Sequence, residues 1–237
     1  MGTTRETFKG FPSEAIAFLS QLARNNNKGW FDAHRATYDA AIVAPALAFV
    51  ESMGAAIRTF APSVVPEPRI GGSLFRIHRD TRFSNDKRPY KTHVGIRLRD
   101  GDTARASSCT GPLFYVEFDA SRLRLGVGVK EFDTRTLEAY RRAVARRKDA
   151  TALGNMIHRA EAQGHHVLGE MLTRAPAAYT HQADDELLRR RGLFVCEERT
   201  LPREIHGPEF TLYCKRWFAA YAPLFHGLRR IAIAGLD

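Results

Sequence analysis

The sequence predicts a single α+β domain, an antiparallel sheet of four to six strands flanked by N- and C-terminal helices. Helical spacing of apolar residues fills positions 12–60, strand-like alternation with turn signals fills 70–130, and helical spacing returns over 133–230. No linker-like composition, internal repeat or low-complexity tract interrupts residues 1–237, a length that suits one large domain. A hydrophobic content of 44% with 15 Phe is enough for a substantial core.

Pro12-Ser13-Glu14 opens the first helix, with proline early and an acid in the first turn. Ala15, Phe18, Leu19 and Leu22 give its apolar face, and Asn25-Asn26-Asn27 ends it. Trp30, Phe31, His34 and Tyr38 form a second helical face. Pro45 is read as the start of a third helix with Leu47, Val50, Met53 and Ile57 inward, and residues 61–68, with three prolines, as a stiff connector. Ser73 to Ile77 alternates loosely like a strand, and His93 to Arg99 alternates more clearly with Val94, Ile96 and Leu98 on one face. Asp100-Gly101-Asp102 is a turn signal. Residues 113–119 and 122–129 read as a hairpin whose Gly126 and Gly128 mark close approach of another backbone or a ligand. Asp133 caps a helix through about Lys148, Thr151 to Gln163 is another, Asp184 to Arg191 is short and helical, Leu193 to Cys196 is strand-like, and Pro208 opens a last helix to about Arg230.

Thirty-six Lys and Arg against 26 Asp and Glu leave a net charge of +10, which favours anionic partners without choosing among them. Cys109, Cys196 and Cys214 are odd in number and far apart, so neither a disulfide framework nor a zinc knuckle is expected, and a cytoplasmic location fits. The apolar run from Ala40 to Val50 contains Pro45 and is read as too short to span a bilayer. The histidines show no H-x-x-x-H spacing, so no metal site is expected, and no residue pattern names a cofactor.

The densest chemistry lies between Phe75 and Lys91, where Arg76, Arg79, Arg82, Lys87, Arg88 and Lys91 surround Asp80 and Asp86, with Phe75, Phe83 and Tyr90 interleaved. Ser84-Asn85-Asp86 supplies turn formers and Pro89 keeps Arg88 out of helix, which predicts a charged loop between strands. Its His78-Arg79-Asp80 and Asn85 match a kinase catalytic loop by spacing. The glycine-rich loop, strand lysine and D-F-G that a kinase needs are absent. Arg76, Arg79 and Arg82 are the candidate ligand-binding residues, because guanidinium forks grip phosphate or carboxylate. Asp80 would orient them or act as base, while Lys87 and Tyr90 would handle protons. The competing expectation is a brace in which Asp80 and Asp86 merely bridge arginines.

Arg76, Arg79, Asp80, Arg82, Phe83, Asp86, Lys87 and Tyr90 fill R-x-x-R-D-x-R-F-x-x-[DN]-K-x-x-Y, which resembles the signature of the bacterial domain-of-unknown-function 2461 family. Asn25-Asn26-Asn27-Lys28 with Trp30-Phe31 resembles that family's N-N-N-K-x-W-F opening, and Pro89-Tyr90-Lys91-Thr92 its P-Y-K-T continuation. The resemblance implies family membership over most of the chain and no particular activity. Two departures stand out: Gly126-Val127-Gly128-Val129-Lys130 lacks a following proline, and Pro176-Ala177-Ala178-Tyr179 lacks the lysine of P-K-G-Y.

The leading functional expectation is therefore a protein that binds a small anionic, phosphate- or carboxylate-bearing metabolite through this cluster, with catalysis left open. The alternatives are a nucleic-acid-binding module that adds the basic runs at 141–148 and 189–191, and an interaction domain without chemistry. No membrane partner is expected. Trp30, Phe31, Tyr38, Phe75 and Phe83 are expected to close the junction between the N-terminal helices and the strands.

Overall fold

A computed structural model describes residues 7–82, 84–104, 111–179 and 185–236. Phe83 and Cys109 lie outside the described residues. Six strands form one antiparallel sheet in the order β1-β2-β3-β4-β6-β5: β1 (Val64–Val65), β2 (Val94–Asp100), β3 (Leu113–Phe118), β4 (Arg122–Val129), β5 (His166–Leu168) and β6 (Leu193–Thr200). The single α+β domain predicted from the sequence is what the chain forms, with helices before and after the central strands.

The register divides the sheet into two unlike faces. Ile96 pairs with Val116 and Leu98 with Phe114, while Val116 pairs with Leu125 and Phe114 with Val127. All six are buried, and α4 (Ala44–Ile57), α9 (Glu209–Ala220) and α10 (Ala222–Ile233) cover this side. Phe114 stacks on Phe225 at 4.6 Å between centroids, and Phe49 stacks on Phe210 at 5.2 Å. Aromatic pairs of this kind add about 0.5–1.5 kcal/mol beyond the area they bury. The opposite face carries Arg97, Tyr115, Glu117, Arg124, Gly126 and Cys196 in register across four strands. Polar residues alternating with the core positions leave this second face partly open.

At the N-terminus, α1 (Ser13–Arg24) buries Ala15, Phe18, Leu19 and Leu22 as its periodicity requires. Asn27 accepts a bond from the Trp30 amide at 3.0 Å and so caps α2 (Lys28–Ala33). The next helix differs from expectation. It does not start at Pro45 but runs from Arg35 to Ile57 without a break, as α3 (Arg35–Tyr38), a π turn (Asp39–Val43) and α4. The wider π turn sits just ahead of Pro45, whose ring would clash with the carbonyl four residues back in an unbroken α-helix. The 23-residue helix is long and apolar enough to cross a membrane by length and composition. Its Tyr38, Ile42, Phe49, Val50, Met53 and Ile57 are buried within the domain.

Asp100-Gly101-Asp102, read as a turn, starts the single helical turn α5 (Gly101–Ala104). Asp133 caps α6 (Thr134–Val144) through the Thr136 amide at 2.8 Å, but this helix stops short of Lys148. The chain turns extended at Arg146 and enters α7 (Arg147–Ala162). The stretch ending at Arg191 yields the short α8 (Asp185–Arg189), and the strand beginning at Leu193 continues to Thr200. The final helix is two helices, because Pro223 in the first turn of α10 cannot continue α9 past Tyr221. Ser73–Ile77 is not a strand either. Only Leu74 bridges Ile96, flanked by a bond from the Phe75 amide to Gly95 and one from the Arg97 amide to Ser73.

Candidate functional site

The charged loop is a hairpin-like excursion whose feet are pinned. The Arg79 amide donates to Pro89 O at 2.8 Å, the Lys91 amide donates to Ile77 O at 2.8 Å, and His78 bridges Tyr90. Tyr90 is buried, its ring stacked on that of Phe31 at 4.3 Å. Its backbone is clamped from the other side: the Tyr90 amide donates to Asn26 Oδ1 at 3.0 Å and Asn26 Nδ2 donates to Tyr90 O at 2.9 Å. The middle asparagine of the N-N-N-K stretch therefore ties the α1–α2 junction to the loop 64 residues later. Phe31 and Tyr38 close that junction from within the core, and Trp30 is half-buried against Phe18. Phe75 is half-buried and rests edge-on against Tyr115 on the open sheet face.

Above the feet, the loop consumes its own charges. Arg82 holds both oxygens of Asp80, at 3.0 and 2.7 Å, and its amide donates to Oδ1 at 3.2 Å. Arg88 repeats the arrangement on Asp86 at 3.0 and 2.7 Å, and Arg79 adds a second guanidinium to Asp86. These hydrogen bonds lower the Asp80 carboxyl to about 2 and push Asp86 further below the ordinary carboxylate range. Lys87 turns back to donate to Thr81 O at 3.0 Å. The loop thus brings Asp80 and Arg82 together, and Arg79 and Asp86. It keeps Tyr90 on the core side and leaves Arg76 exposed.

Arg76 stands at the foot where the loop meets the open face. Lys91 Nζ donates to Arg76 O at 2.9 Å and lies 5.2 Å from the centroid of the Phe75 ring. The Arg97 guanidinium packs on the same ring at 4.8 Å. Among the described residues, neither Arg76 nor Lys91 forms an ion pair with a carboxylate. Burial, then the neighbouring Arg76 charge, pushes the Lys91 ammonium below its ordinary value of 10.5, with Arg97 acting in the same direction and Glu117 against it.

Behind Phe75 a cleft of about 240 Å³ opens on the sheet, walled by Phe75, Leu113, Tyr115, Leu168 and Phe194, with Glu117, Arg124 and Lys130 as its polar groups. Tyr115 donates to Glu117 Oε2 at 2.5 Å, Arg124 donates to Oε1 at 3.0 Å, and His93 Nε2 lies 3.7 Å from Oε2. Arg124 also meets Glu198 at 2.6 Å. Burial drives the Tyr115 hydroxyl upward and His93 downward, so a protonated tyrosine and a neutral imidazole flank one carboxylate. Gly126 and Gly128 answer to neighbours on β6. A Cβ at Gly126 would lie 2.4 Å from the Phe194 ring, and one at Gly128, where φ is +133°, 2.2 Å from Leu193 O.

The sequence reading did not single out His93, Tyr115, Glu117 and Arg124 as functional. The available signal was polar residues two apart on successive strands, with opposite charges that pair only once the register is known. The basic runs that pointed to nucleic acid are partly answered by acids: Arg142 lies 3.7 Å from Glu138, Arg190 2.6 Å from Glu186 and Arg191 3.6 Å from Glu170.

No curated protein and no solved structure matches the chain. A family model described as "Conserved hypothetical protein (DUF2461)" matches residues 14–226, which takes in the asparagine clamp, the charged loop and the whole sheet. The chain belongs to that family.

Proposed function

We propose that the protein binds a small anionic molecule where the foot of the charged loop meets the open face of the sheet. The observation that carries this reading is the gathering of Lys91 and Arg97 on the Phe75 ring, with the Arg76 charge acting on Lys91, beside a mostly apolar cleft. Apolar walls with a few convergent polar groups are the usual build of a small-molecule site. Arg79 and Arg82 support the site by holding Asp86 and Asp80, so that the loop keeps its shape, and the field that attracts an anion comes from the cations at the foot. Asp80, Lys87 and Tyr90, the candidate proton carriers, hold the loop instead: Asp80 at about 2 is a poor base at neutral pH. Acid–base work falls to His93 and Glu117, which lie 3.7 Å apart, while Tyr115 keeps its proton and orients the carboxylate. The buried free thiols of Cys196 and Cys214 accord with a cytoplasmic setting.

Thermal melts with inorganic phosphate, pyruvate and citrate test the reading. A ligand at 100 times its Kd stabilises by about 2.7 kcal/mol, which moves the melting point by roughly 5–11 °C for a chain of this size. The shift should vanish in Arg76→Ala with Lys91→Met. No saturable shift with any of these anions would overturn it. Binding of mixed-sequence DNA or RNA at low salt, weakening steeply as salt rises, would favour the nucleic-acid reading instead.

A further inference from the structure

We propose that Lys91 acts as an amine nucleophile, capturing the carbonyl group of a small oxo acid as an imine while the neighbouring cations receive the acid group. The inference rests on the anion-binding reading above and adds a chemistry to it. Four features of the lysine's setting point this way. Its Nζ makes no ion pair among the described residues and is aimed by a single hydrogen bond to Arg76 O at 2.9 Å. It shares the Phe75 ring with the Arg97 guanidinium, so a carboxylate drawn to these cations brings an adjacent carbonyl carbon close to Nζ. Partial burial and two nearby guanidiniums favour the uncharged amine, the setting in which lysines become nucleophiles. Glu117, hydrogen-bonded to Tyr115 and Arg124 and close to neutral His93, is the acidic group that faces this cationic cluster.

The chemistry balances without a further reagent. The Nζ lone pair forms the C–N bond as the carbonyl π pair moves to oxygen, which takes up a proton. Nitrogen sheds one proton to water. The hydroxyl then leaves as water with a second proton as the nitrogen lone pair closes the C=N bond. The sum is amine, carbonyl and one proton from solvent giving iminium and water, and the positive charge remains next to the bound acid group.

The test incubates the intact protein with pyruvate and cyanoborohydride, which reduces the iminium to a stable secondary amine, and maps the adduct by peptide mass. The expected result is an adduct at Lys91 that forms faster than at Lys28 or Lys87, which are exposed. Its rate should climb with pH and level off below the 10.5 of an ordinary lysine. Lys91→Arg, which keeps the charge, should bind pyruvate by calorimetry and give no adduct above the level of the surface lysines. Where the arginine variant does not fold, the natural protein alone serves, through the rate of adduct formation at Lys91 against that at Lys28 and Lys87. Pyruvate binding by the natural protein with adducts spread evenly over all lysines overturns the inference while leaving the anion site standing. Absence of both binding and adduct overturns the two together.

Discussion

Asn26→Ala removes the clamp that holds the charged loop to the N-terminal helices, and its cost follows from the two bonds it breaks. The Tyr90 amide and carbonyl lose partners at 3.0 and 2.9 Å in a half-buried setting. A neutral hydrogen bond contributes about 0.5–1.5 kcal/mol, and a buried group left without a partner costs about 1–3 kcal/mol. Two bonds at a partly wet site therefore come to roughly 1–3 kcal/mol, or about 2–12 °C in melting temperature for a chain of this length. Asn26→Asp separates the two bonds. One carboxylate oxygen still accepts from the Tyr90 amide, but the other faces the Tyr90 carbonyl and repels it. The aspartate variant should therefore melt no higher than the alanine variant at neutral pH. Once acid protonates that carboxyl it can donate again, and the aspartate variant should then melt above the alanine one. Differential scanning calorimetry at pH 7 and pH 3 reads both effects. An Asn26→Ala variant that melts with the natural protein would refute the clamp, and with it the view that the asparagine run exists to place the loop.

Arg82→Ala should leave the melting point close to that of the natural protein, since the Asp80–Arg82 pair is mostly in solvent. Arg79→Ala should cost more, roughly 1–2 kcal/mol, because Arg79 is only 26% exposed, though Arg88 still answers Asp86; equal melting points for the two variants would contradict this. Asp80 and Asp86 are depressed in the folded state, so their contribution is present above the ordinary value of 3.8 and is lost as pH falls through the folded values. The melting point should drop between about pH 4 and pH 2, and Asp86→Asn should shrink that drop in a pH series of melts. Gly126→Ala should push the Phe194 ring off the sheet and cost about 1–3 kcal/mol, with any bound anion weakened, as calorimetry would read.

The parts of the fold legible in the sequence are those whose signal is local. Val94, Ile96 and Leu98 alternate, and so do the partners on the 113–129 hairpin, because one face of the sheet is core and the other is not. The π turn is invisible to periodicity: Pro45 looks like a helix start, and only the preceding wide turn lets the helix run through it. The break at Arg146 carries no proline or glycine, so an unbroken basic helix was the natural reading there. β5 has three residues and β1 two, too short for any pattern. In the site, charge density found the loop. It could not find how Asp80 and Asp86 choose arginines two residues on, nor that Glu117 meets Arg124 across the strand pair.

The pairing inside the loop and the surplus at its foot are two halves of one arrangement. Asp80 and Asp86 each take the arginine two residues later through its Nε, its Nη2 and its backbone amide, and such short-range forks fix a turn without help from the core. A loop that sets its own shape needs anchoring only where it leaves the domain, and Asn26, Ile77 and Pro89 supply that. Arg76 and Lys91 therefore need no carboxylate for structural reasons. Lys91 stands over the Phe75 ring and is hydrogen-bonded to the Arg76 carbonyl, at the edge of a cleft whose own carboxylate is already shared between a tyrosine and an arginine. Within a chain of net charge +10, these are the cations on which the proposed anion site rests.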